Sequence, residues 1–260
     1  MSGAKVIAAR ELDGRVLSVR LSAPPGNVLD REMMSGIEGA LDAHGLDPRL
    51  SALVFEGEGK HFSFGASVEE HTREEVGAML PRFHALFRRL ADLAIPTFAV
   101  VRGQCLGGGL ELAAWCSWIF ASPEAMFGQP EIRLAVFPPL ASVLLPWRIG
   151  GGRALDLCVS GRSIPAAEAQ SIGLVHTVAS EPGAAARAFI EKQLLDKSPS
   201  SLKLTEKAVR AGIIELIAHR LPAIERLYLE ELMNTPDANE GIAAFLEKRP
   251  PRWQFQESAR

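Results

Sequence analysis

Short apolar runs typical of β-strands alternate with longer helical patterns over roughly the first 180 residues of the chain. Strands are predicted over Val16–Arg20, Ala52–Phe55, Thr97–Val101, Trp118–Ala121 and Leu174–Val178. Between them, apolar residues at helical spacing predict helices over Arg31–His44, where Asp30 is placed to cap the first turn, and over Val76–Leu93. Strands that alternate with helices favour parallel pairing, so this alternation predicts an α/β fold.

The pattern changes after about Ser180, where the chain becomes helical. Helices are predicted over Pro182–Leu195, Ser200–Arg220, Pro222–Asn234 and Asp237–Lys248. Pro199 and Pro222 are expected to break this series, because proline lacks the backbone N–H that a helix interior requires. No glycine- and serine-rich linker precedes this part, so we expect a helical extension packed on the α/β core or on a neighbouring subunit.

Composition excludes several classes of protein. The net charge of −3 lacks the basic excess of a dedicated nucleic-acid-binding protein. Cys105, Cys116 and Cys158 have no paired spacing, so neither a structural zinc site nor a disulfide framework is expected. Charged residues interrupt any secretory leader near the N-terminus, and the uncharged apolar run Leu134–Trp147 is too short to span a bilayer. A cytoplasmic protein is expected.

The sequence also lacks the motifs of several common enzyme classes. It contains no G-x-S-x-G, no G-x-x-x-x-G-K-[ST] and no H-E-x-x-H. The glycine triplets at 107–109 and 150–152 do not extend to G-x-G-x-x-G, because leucine fills the last place of each. The usual sequence motifs of serine hydrolases, ATP-binding P-loop proteins, zinc proteases and dinucleotide-binding proteins are therefore absent. A surface or packing role is predicted for the histidines His44, His71, His84 and His219.

The strongest functional signal lies between Val101 and Pro130, with an earlier partner at His61–Glu70. A predicted strand ends at Val101, and the three glycines 107–109 then precede an apolar-rich helix. Backbone N–H groups at such a helix start are open to a ligand and favour negative charge. The segment therefore suits an anion, or a carbonyl oxygen that gains negative charge during a reaction.

Two glutamates accompany this segment. Glu111 lies in the first turn of the predicted helix among apolar neighbours, and Glu131 follows Pro130 just beyond the next strand. Taken alone, a first-turn glutamate is more typical of helix stabilisation and a glycine triplet of close packing. If both carboxylates face one pocket, they form a pair suited to moving protons to and from water.

With these residues the sequence resembles the crotonase (enoyl-CoA hydratase/isomerase) superfamily. The resemblance covers nearly the whole chain and is carried by IPTFAVVRGQCLGGGLELAAWCSWIFAS, FGQPEIRL, ALDLCVSGRSIPAAEAQSIGLVHTV and DANEGIAAFLEKRPPRW. It implies a spiral of ββα turns with a helical C-terminal region, and a homotrimer or a dimer of trimers. On this reading residues 1–195 form the core with the CoA and catalytic sites, and residues 196–260 serve oligomerisation and cover the active site.

The resemblance further implies an acyl-CoA thioester as substrate. Coenzyme A then enters as part of the substrate, with no bound prosthetic group, no metal site and neither a nucleic-acid nor a membrane partner. In this family the thioester oxygen lies in an oxyanion hole of two backbone N–H groups, and the matching positions are Ala66 and Gly108. The residues expected to contact substrate or CoA are Ala66, Ser67, Val68, Glu69, Gly107, Gly108, Gln129, Phe137, Phe245 and Lys248.

The two glutamates match those of the family's hydratases. The resemblance therefore implies a lyase that adds water reversibly across the double bond of an enoyl-CoA. In the expected mechanism Glu131 protonates C2, while Glu111 assists the water that attacks C3. Because a coupled pair shares its protons, this division of roles stays open. Gln129 is expected to support the pair.

The chain departs from the family pattern at two places. Ser67 stands where the family usually has aspartate, and AVFPPLASVLLPWRIG replaces the usual glycine-rich segment after the second glutamate. Both HFSFGASVEEH and the segment ending LLPWRIG look like cyclohexa-1,5-diene-1-carbonyl-CoA hydratases. A substrate with a branched or linear acyl group, such as 3-methylglutaconyl-CoA, stays an alternative.

Two further functions stay open. The departures at Ser67 and at 137–139 are compatible with other acyl-CoA chemistry on the same fold, such as isomerisation, dehalogenation or thioester hydrolysis. Some relatives with this fold bind RNA, which would need a basic surface. The candidates for that surface are Arg187, Lys192, Lys197, Lys203, Lys207 and Arg210, but acidic residues are interspersed among them, and this mixture is typical of a solvated helix face.

Overall fold

The computed structural model describes residues 3–254. Its strands are β1 (Val6–Glu11), β2 (Val16–Leu21), β3 (Ala52–Gly57), β4 (Thr97–Val101), β5 (Gln104–Leu106), β6 (Trp118–Ala121), β7 (Met126–Gly128), β8 (Ser163–Pro165) and β9 (Thr177–Val178). Its α-helices are α1 (Arg31–His44), α2 (Val76–Leu93), α3 (Gly108–Trp115), α4 (Ala141–Ile149), α5 (Gly151–Ser160), α6 (Ala166–Ser171), α7 (Pro182–Gln193), α8 (Pro199–Arg226) and α9 (Pro236–Leu246). Short 3₁₀ turns cover Glu69–His71, Pro130–Leu134 and Leu232–Asn234, and a π-helical turn covers Leu227–Glu231.

The strands form two sheets. The larger one has the order β1-β2-β3-β4-β6-β9, and every pair in it is parallel except β1 with β2. The smaller one has the order β5-β7-β8, in which β5 and β7 are parallel. A parallel neighbour cannot follow through a tight hairpin, so each parallel step across the larger sheet requires a long crossover.

The crossovers wind as a spiral. The chain passes from β4 to β5 and then into α3, and the next turn passes from β6 to β7 and then into the turn Pro130–Leu134. Each turn thus gives one strand to each sheet before the chain becomes helical. The preceding turn joins the smaller sheet through a bridge between Ser63 and Cys105. The predicted α/β fold with a spiral of ββα turns is confirmed.

Apolar side chains cover both faces of the larger sheet. On one face Leu17, Phe55 and Val101 belong to a large core shared with α1, α2 and α3. On the other face Phe98 and Phe120 pack with side chains of α7. β4 is therefore buried on both sides, as its unbroken apolar sequence predicts.

The structure corrects two of the predicted elements. Pro222 does not end a helix: α8 continues through it to Arg226, because apolar contacts of Ile213, Ile217 and Leu221 with the core hold the chain helical on the N-terminal side of the proline. The strand predicted over Leu174–Val178 is short, since the N–H group of Leu174 instead bonds to Ala169 at the end of α6, and only Thr177–Val178 pairs with β6.

The C-terminal helices α8 and α9 pack on the core. α8 contacts α2 and α4, and α9 contacts both the turn Pro130–Leu134 and the turn Glu69–His71. The division at residue 195 and the role of the last helices in oligomerisation stay predictions. None of the helices within residues 3–254 combines the length and apolarity needed to cross a bilayer.

Candidate active site

A cavity of about 420 Å³ lies where three successive turns of the spiral meet α2 and α9. Its wall is mostly apolar. The residues that line it include Ala66, Val68, His71, Leu80, Phe83, His84, Gly107, Gly108, Glu111, Glu131, Arg133, Val136, Phe137, Pro138, Pro139 and Phe245. A concave apolar pocket with a few convergent polar groups is the usual form of a site for a small molecule.

Two backbone N–H groups adjoin one another in this wall. A Cβ atom placed on Gly108 would lie only 3.2 Å from the nitrogen of Ala66, so the two main chains are in close contact. Gly108 is the first residue of α3, where backbone N–H groups have no acceptor within the helix. The predicted oxyanion pair, Ala66 and Gly108, is therefore brought together at the start of a helix, where the helix dipole favours negative charge.

Gly107 lets a carboxyl group lie against this loop. Its φ of +52° is in the left-handed region, and a Cβ atom there would approach Oε1 of Glu131 to 2.7 Å. The N–H group of Gly107 donates to the carbonyl oxygen of Gly128 at 2.9 Å, which fastens the loop to the end of β7. Any other residue at 107 would displace the Glu131 side chain.

Glu111 lies in the first turn of α3 and is only 4% exposed. The backbone N–H of Ala141, the first residue of α4, donates to its Oε1 at 2.6 Å. Burial raises the pKa of Glu111, and this rise is opposed by His84 and by hydrogen bonds from the N–H groups of Ala141 and Leu140. The site thus contains a buried carboxyl whose ionised form is stabilised by specific neighbours.

Glu131 lies in the turn after β7 and lines the same cavity. Burial in the apolar wall, reinforced by the negative charge of Glu111, raises its pKa to about 8. With its amide nitrogen turned toward Glu131, the buried side chain of Gln129 donates to both carboxyl oxygens at 3.0 Å. Two buried carboxyls in one cavity, both with raised pKa values, are suited to exchange protons with water as acid and base.

The other predicted contact residues divide into two groups. Val68, Phe137 and Phe245 line the cavity, as do both residues of the oxyanion pair. The remaining ones, Ser67, Glu69, Gln129 and Lys248, are not in its wall. Ser67 donates to Glu69 at 2.7 Å, and that bond lowers the pKa of Glu69. Whether Glu69 and Lys248 contact CoA stays a prediction.

Sequence reasoning missed two histidines of the wall. Nδ1 of His71 donates a hydrogen bond to the carbonyl oxygen of Ser67 at 2.6 Å, and burial lowers the pKa of His71. His84 is fully buried in α2, four residues after Leu80 and three before Phe87. A histidine on the apolar stripe of a helix was the available signal. The predicted packing role is compatible with the buried ring of His84, but it did not place this ring in the cavity wall.

The basic residues considered for RNA binding lie among acidic partners. Arg187 forms ion pairs with Glu11 and Glu191, which is typical of a solvated helix face of mixed charge. Arg210 is instead buried: it pairs with Glu206, and its guanidinium lies 4.3 Å from the centre of the Trp115 ring.

Comparisons with known proteins agree with this geometry. The family model described as enoyl-CoA hydratase/isomerase matches residues 11–256. The chain is 47% identical to cyclohexa-1,5-dienecarbonyl-CoA hydratase of Thauera aromatica, over 94% of this chain and 95% of that protein. It superimposes with a TM-score of 0.83 and 27% identity on an enoyl-CoA hydratase of Mycobacterium avium subsp. paratuberculosis, covering 97% and 99% of the two chains. An enoyl-CoA hydratase/isomerase of Xanthobacter autotrophicus gives a TM-score of 0.82 at 27% identity, covering 98% and 100%.

Proposed function

The chain belongs to the enoyl-CoA hydratase/isomerase family, and on that premise we propose that it adds water reversibly to the double bond of an enoyl-CoA thioester. The observation that carries this proposal is the convergence of Glu111 and Glu131 on a cavity beside the N–H groups of Ala66 and Gly108. An isomerisation needs one group to move a proton, whereas hydration needs both a base for water and an acid for carbon, and the site contains two carboxyls.

In the proposed mechanism the thioester oxygen accepts hydrogen bonds from Ala66 and Gly108. Water attacks C3 as one of its O–H bonds breaks and the proton passes to Glu111. The π electrons of the C2–C3 bond move onto the thioester, whose developing negative charge the two N–H groups stabilise; one such donor is worth about 3 kcal/mol. The enolate then collapses as C2 takes the proton of the neutral Glu131 carboxyl. A proton then passes through water from Glu111 to Glu131, which restores the ionised Glu111 and the neutral Glu131.

We propose a cyclic dienoyl group, cyclohexa-1,5-diene-1-carbonyl-CoA, as the substrate. Support comes from the 47% identity to the Thauera aromatica hydratase and from the apolar residues around Glu111. Pro138 and Pro139 line the cavity immediately before the residues that bond to Glu111, and Phe83 contacts the oxyanion loop from the other side. A flat hydrocarbon ring fits walls of this kind, where a charged acyl chain would be desolvated.

Arg133 favours a second candidate. Its exposed side chain is a cation in the cavity wall, and it lies two residues after Glu131 in the sequence. A 3-methylglutaconyl group carries a second carboxylate, which an arginine binds well. An Arg133→Met variant separates the candidates, because it should raise KM for 3-methylglutaconyl-CoA at least tenfold and leave KM for the cyclic diene within about threefold.

The decisive experiment measures hydration of crotonyl-CoA, 3-methylglutaconyl-CoA and cyclohexa-1,5-diene-1-carbonyl-CoA by the wild-type protein and by Glu131→Gln. Preference for the cyclic diene is expected, with kcat reduced by about 10²-fold or more in the variant. The exposed Glu74→Gln variant serves as the matched control and should keep full activity. Detection of isomerised or hydrolysed products, with no hydrated product, would contradict the proposal and indicate another acyl-CoA reaction.

We also propose that the protein assembles as a homotrimer, alone or as a dimer of trimers. Support comes from large apolar side chains that a single chain leaves exposed: Leu155 and Val159 on α5, and Leu204 and Val209 on α8. Apolar surface of this extent is commonly covered in assemblies. Light scattering of the purified protein tests the assembly, and a monomer at micromolar concentration would contradict it.

A further inference from the structure

His84 and Glu225 form a buried pair behind the cavity wall. Nδ1 of His84, on α2, shares a short hydrogen bond with Oε1 of Glu225, on α8. The imidazole is fully buried, and its other nitrogen, Nε2, has no hydrogen-bond partner among residues 3–254. An unsatisfied polar atom in the interior costs about 1–3 kcal/mol, so its presence beside a functional cavity calls for a role.

The chemistry of the ring follows from this arrangement. The bond with His84 lowers the pKa of Glu225, so Glu225 is a carboxylate and Nδ1 carries the hydrogen that it accepts. Nε2 is then an acceptor in the neutral ring and a donor in the imidazolium. Both forms of the ring can pair with a carboxyl group. The neutral ring accepts a hydrogen bond from the O–H of a neutral acid, and the imidazolium donates its N–H to a carboxylate.

Glu111 is a buried carboxyl group in the same cavity wall as His84. The electrostatic effect of His84 lowers the pKa of Glu111. The hydrogen bonds that Glu111 accepts come from backbone N–H groups at the start of α4. The other α2 side chains in the cavity wall, Met79, Leu80 and Phe83, are apolar, so His84 is the polar group that α2 brings to the cavity.

We propose that the Glu225–His84 pair is a positioning device for Glu111, in which Nε2 shares a hydrogen-bonded proton with the Glu111 carboxyl, through one water molecule. This inference rests on the proposed hydration and deepens it. Glu111 must be ionised when the water molecule attacks, although burial favours its neutral form. An imidazolium held in place by Glu225 stabilises the carboxylate before the reaction and does not itself touch the substrate.

The other charged and titratable groups near Glu111 do not supply this positive charge. Glu131 is acidic, and burial raises the pKa of the Cys158 thiol to about 12, so this thiol is neutral. Arg88 acts on Glu225, on the far side of the imidazole. Arg133 lines the cavity, but its side chain is exposed to solvent, which screens its charge. Loss of His84 is therefore expected to leave only the N–H groups of Ala141 and Leu140 to oppose the effect of burial on the pKa of Glu111.

The test uses His84→Gln and Glu225→Gln in the full-length protein, with His219→Gln as the control. His219 is on α8 like Glu225, but its side chain is 78% exposed. The first readout is the titration of Glu111 by carbon-13 NMR of labelled glutamate, with Glu111→Gln to assign the signal. Both test variants should raise the titration midpoint by about 1 pH unit, because an opposite charge has been removed or weakened. The control should leave it unchanged.

The second readout is the pH dependence of kcat for hydration. In both test variants the acidic limb should move to higher pH by the same amount, so that kcat falls by up to about tenfold on that limb while KM stays within about threefold. Unchanged titration of Glu111 in both variants would overturn the proposal, even if kcat fell. If the wild-type protein hydrates no substrate, the proposed function fails, and the titration still decides the role of His84. If His84→Gln does not fold, Glu225→Gln alone decides it.

Discussion

The backbone N–H of Ala141 donates a 2.6 Å hydrogen bond to the carboxyl group of Glu111, so the first residue of α4 holds a side chain of α3. Ala141 lies within AVFPPLASVLLPWRIG, two residues after Pro139, in the segment that replaces the glycine-rich sequence usual for the family. The departure from the family pattern therefore lies beside a carboxyl group of the proposed site. It fixes the backbone that orients Glu111 and supplies part of the apolar wall beside it.

The pH dependence of hydration should follow the Glu131 carboxyl. Its pKa is raised to about 8, so it is neutral and able to donate below that pH, and it loses the proton above it. We expect kcat/KM to be highest below pH 8 and to fall about tenfold per unit at higher pH. A profile that rises through pH 8 would mean that Glu131 acts as the ionised base.

The same shift predicts an effect on stability. Unfolding returns Glu131 to its ordinary pKa of 4.5, so between pH 4.5 and 8 the folded state binds a proton that the unfolded state does not. The contribution of this residue to stability therefore falls as the pH rises through that window. Glu131→Gln should melt at a higher temperature than wild type, by a margin that grows from pH 5 to pH 8. A margin that is constant with pH, or the same growth in Glu74→Gln, would contradict this.

Gly107→Ala should damage the site more than the fold. The new methyl group meets Oε1 of Glu131 at 2.7 Å, and a left-handed φ costs a non-glycine residue roughly 1–2 kcal/mol. We expect the free energy of unfolding to fall by that amount and hydration to fall by about 10²-fold, because Glu131 leaves its position.

Gly212→Ala is the matched control for this variant. Gly212 is exposed within α8, and nothing lies within 4 Å of the position of a Cβ atom. Alanine should stabilise the helix by up to about 1 kcal/mol and leave hydration unchanged. Similar losses of activity in the two variants would show that the effect at residue 107 is not local.

Tyr228→Phe should not destabilise the protein. The tyrosine is 1% exposed in the π-helical turn, and its hydroxyl has no hydrogen-bond partner among residues 3–254. The ring packs edge-on against Phe137 at 5.3 Å between centroids, and phenylalanine keeps that contact. We expect an unchanged or up to about 1 kcal/mol higher free energy of unfolding, measured with urea. A loss above 1 kcal/mol would show that the hydroxyl has a partner.

Local patterns were sufficient for the elements that carry the strongest periodicity. α1 and α2 have the predicted bounds, and the side chain of Asp30 accepts the N–H of Met33 at 2.9 Å, as a capping residue should. β4 and the helix after the glycine triplet also follow from short-range signals, an apolar run and a turn. These features place Glu111 in the first turn of α3, as predicted.

The rest depends on contacts between distant parts of the chain. β5 and β7 have three residues each, too few for a periodic signal, and are defined by pairing with one another. Pro222 is accommodated because tertiary packing outweighs its local preference. The pairing of His84 with Glu225 joins residues 141 positions apart, which no local pattern reveals.

In the proposed mechanism the spiral holds the oxyanion N–H groups and the two carboxyl groups in different ways, although Gly108 and Glu111 share α3. The N–H groups belong to main chain that the smaller sheet and its bridge to Ser63 fix, whereas Glu111 and Glu131 enter the cavity only as side chains. Substitution of either glutamate is therefore expected to leave intact the N–H groups of Ala66 and Gly108, which bind the thioester in the proposed mechanism. A lineage with this architecture can lose or change its reaction in one substitution and still retain its class of substrate, which makes the chemistry easier to alter than the binding.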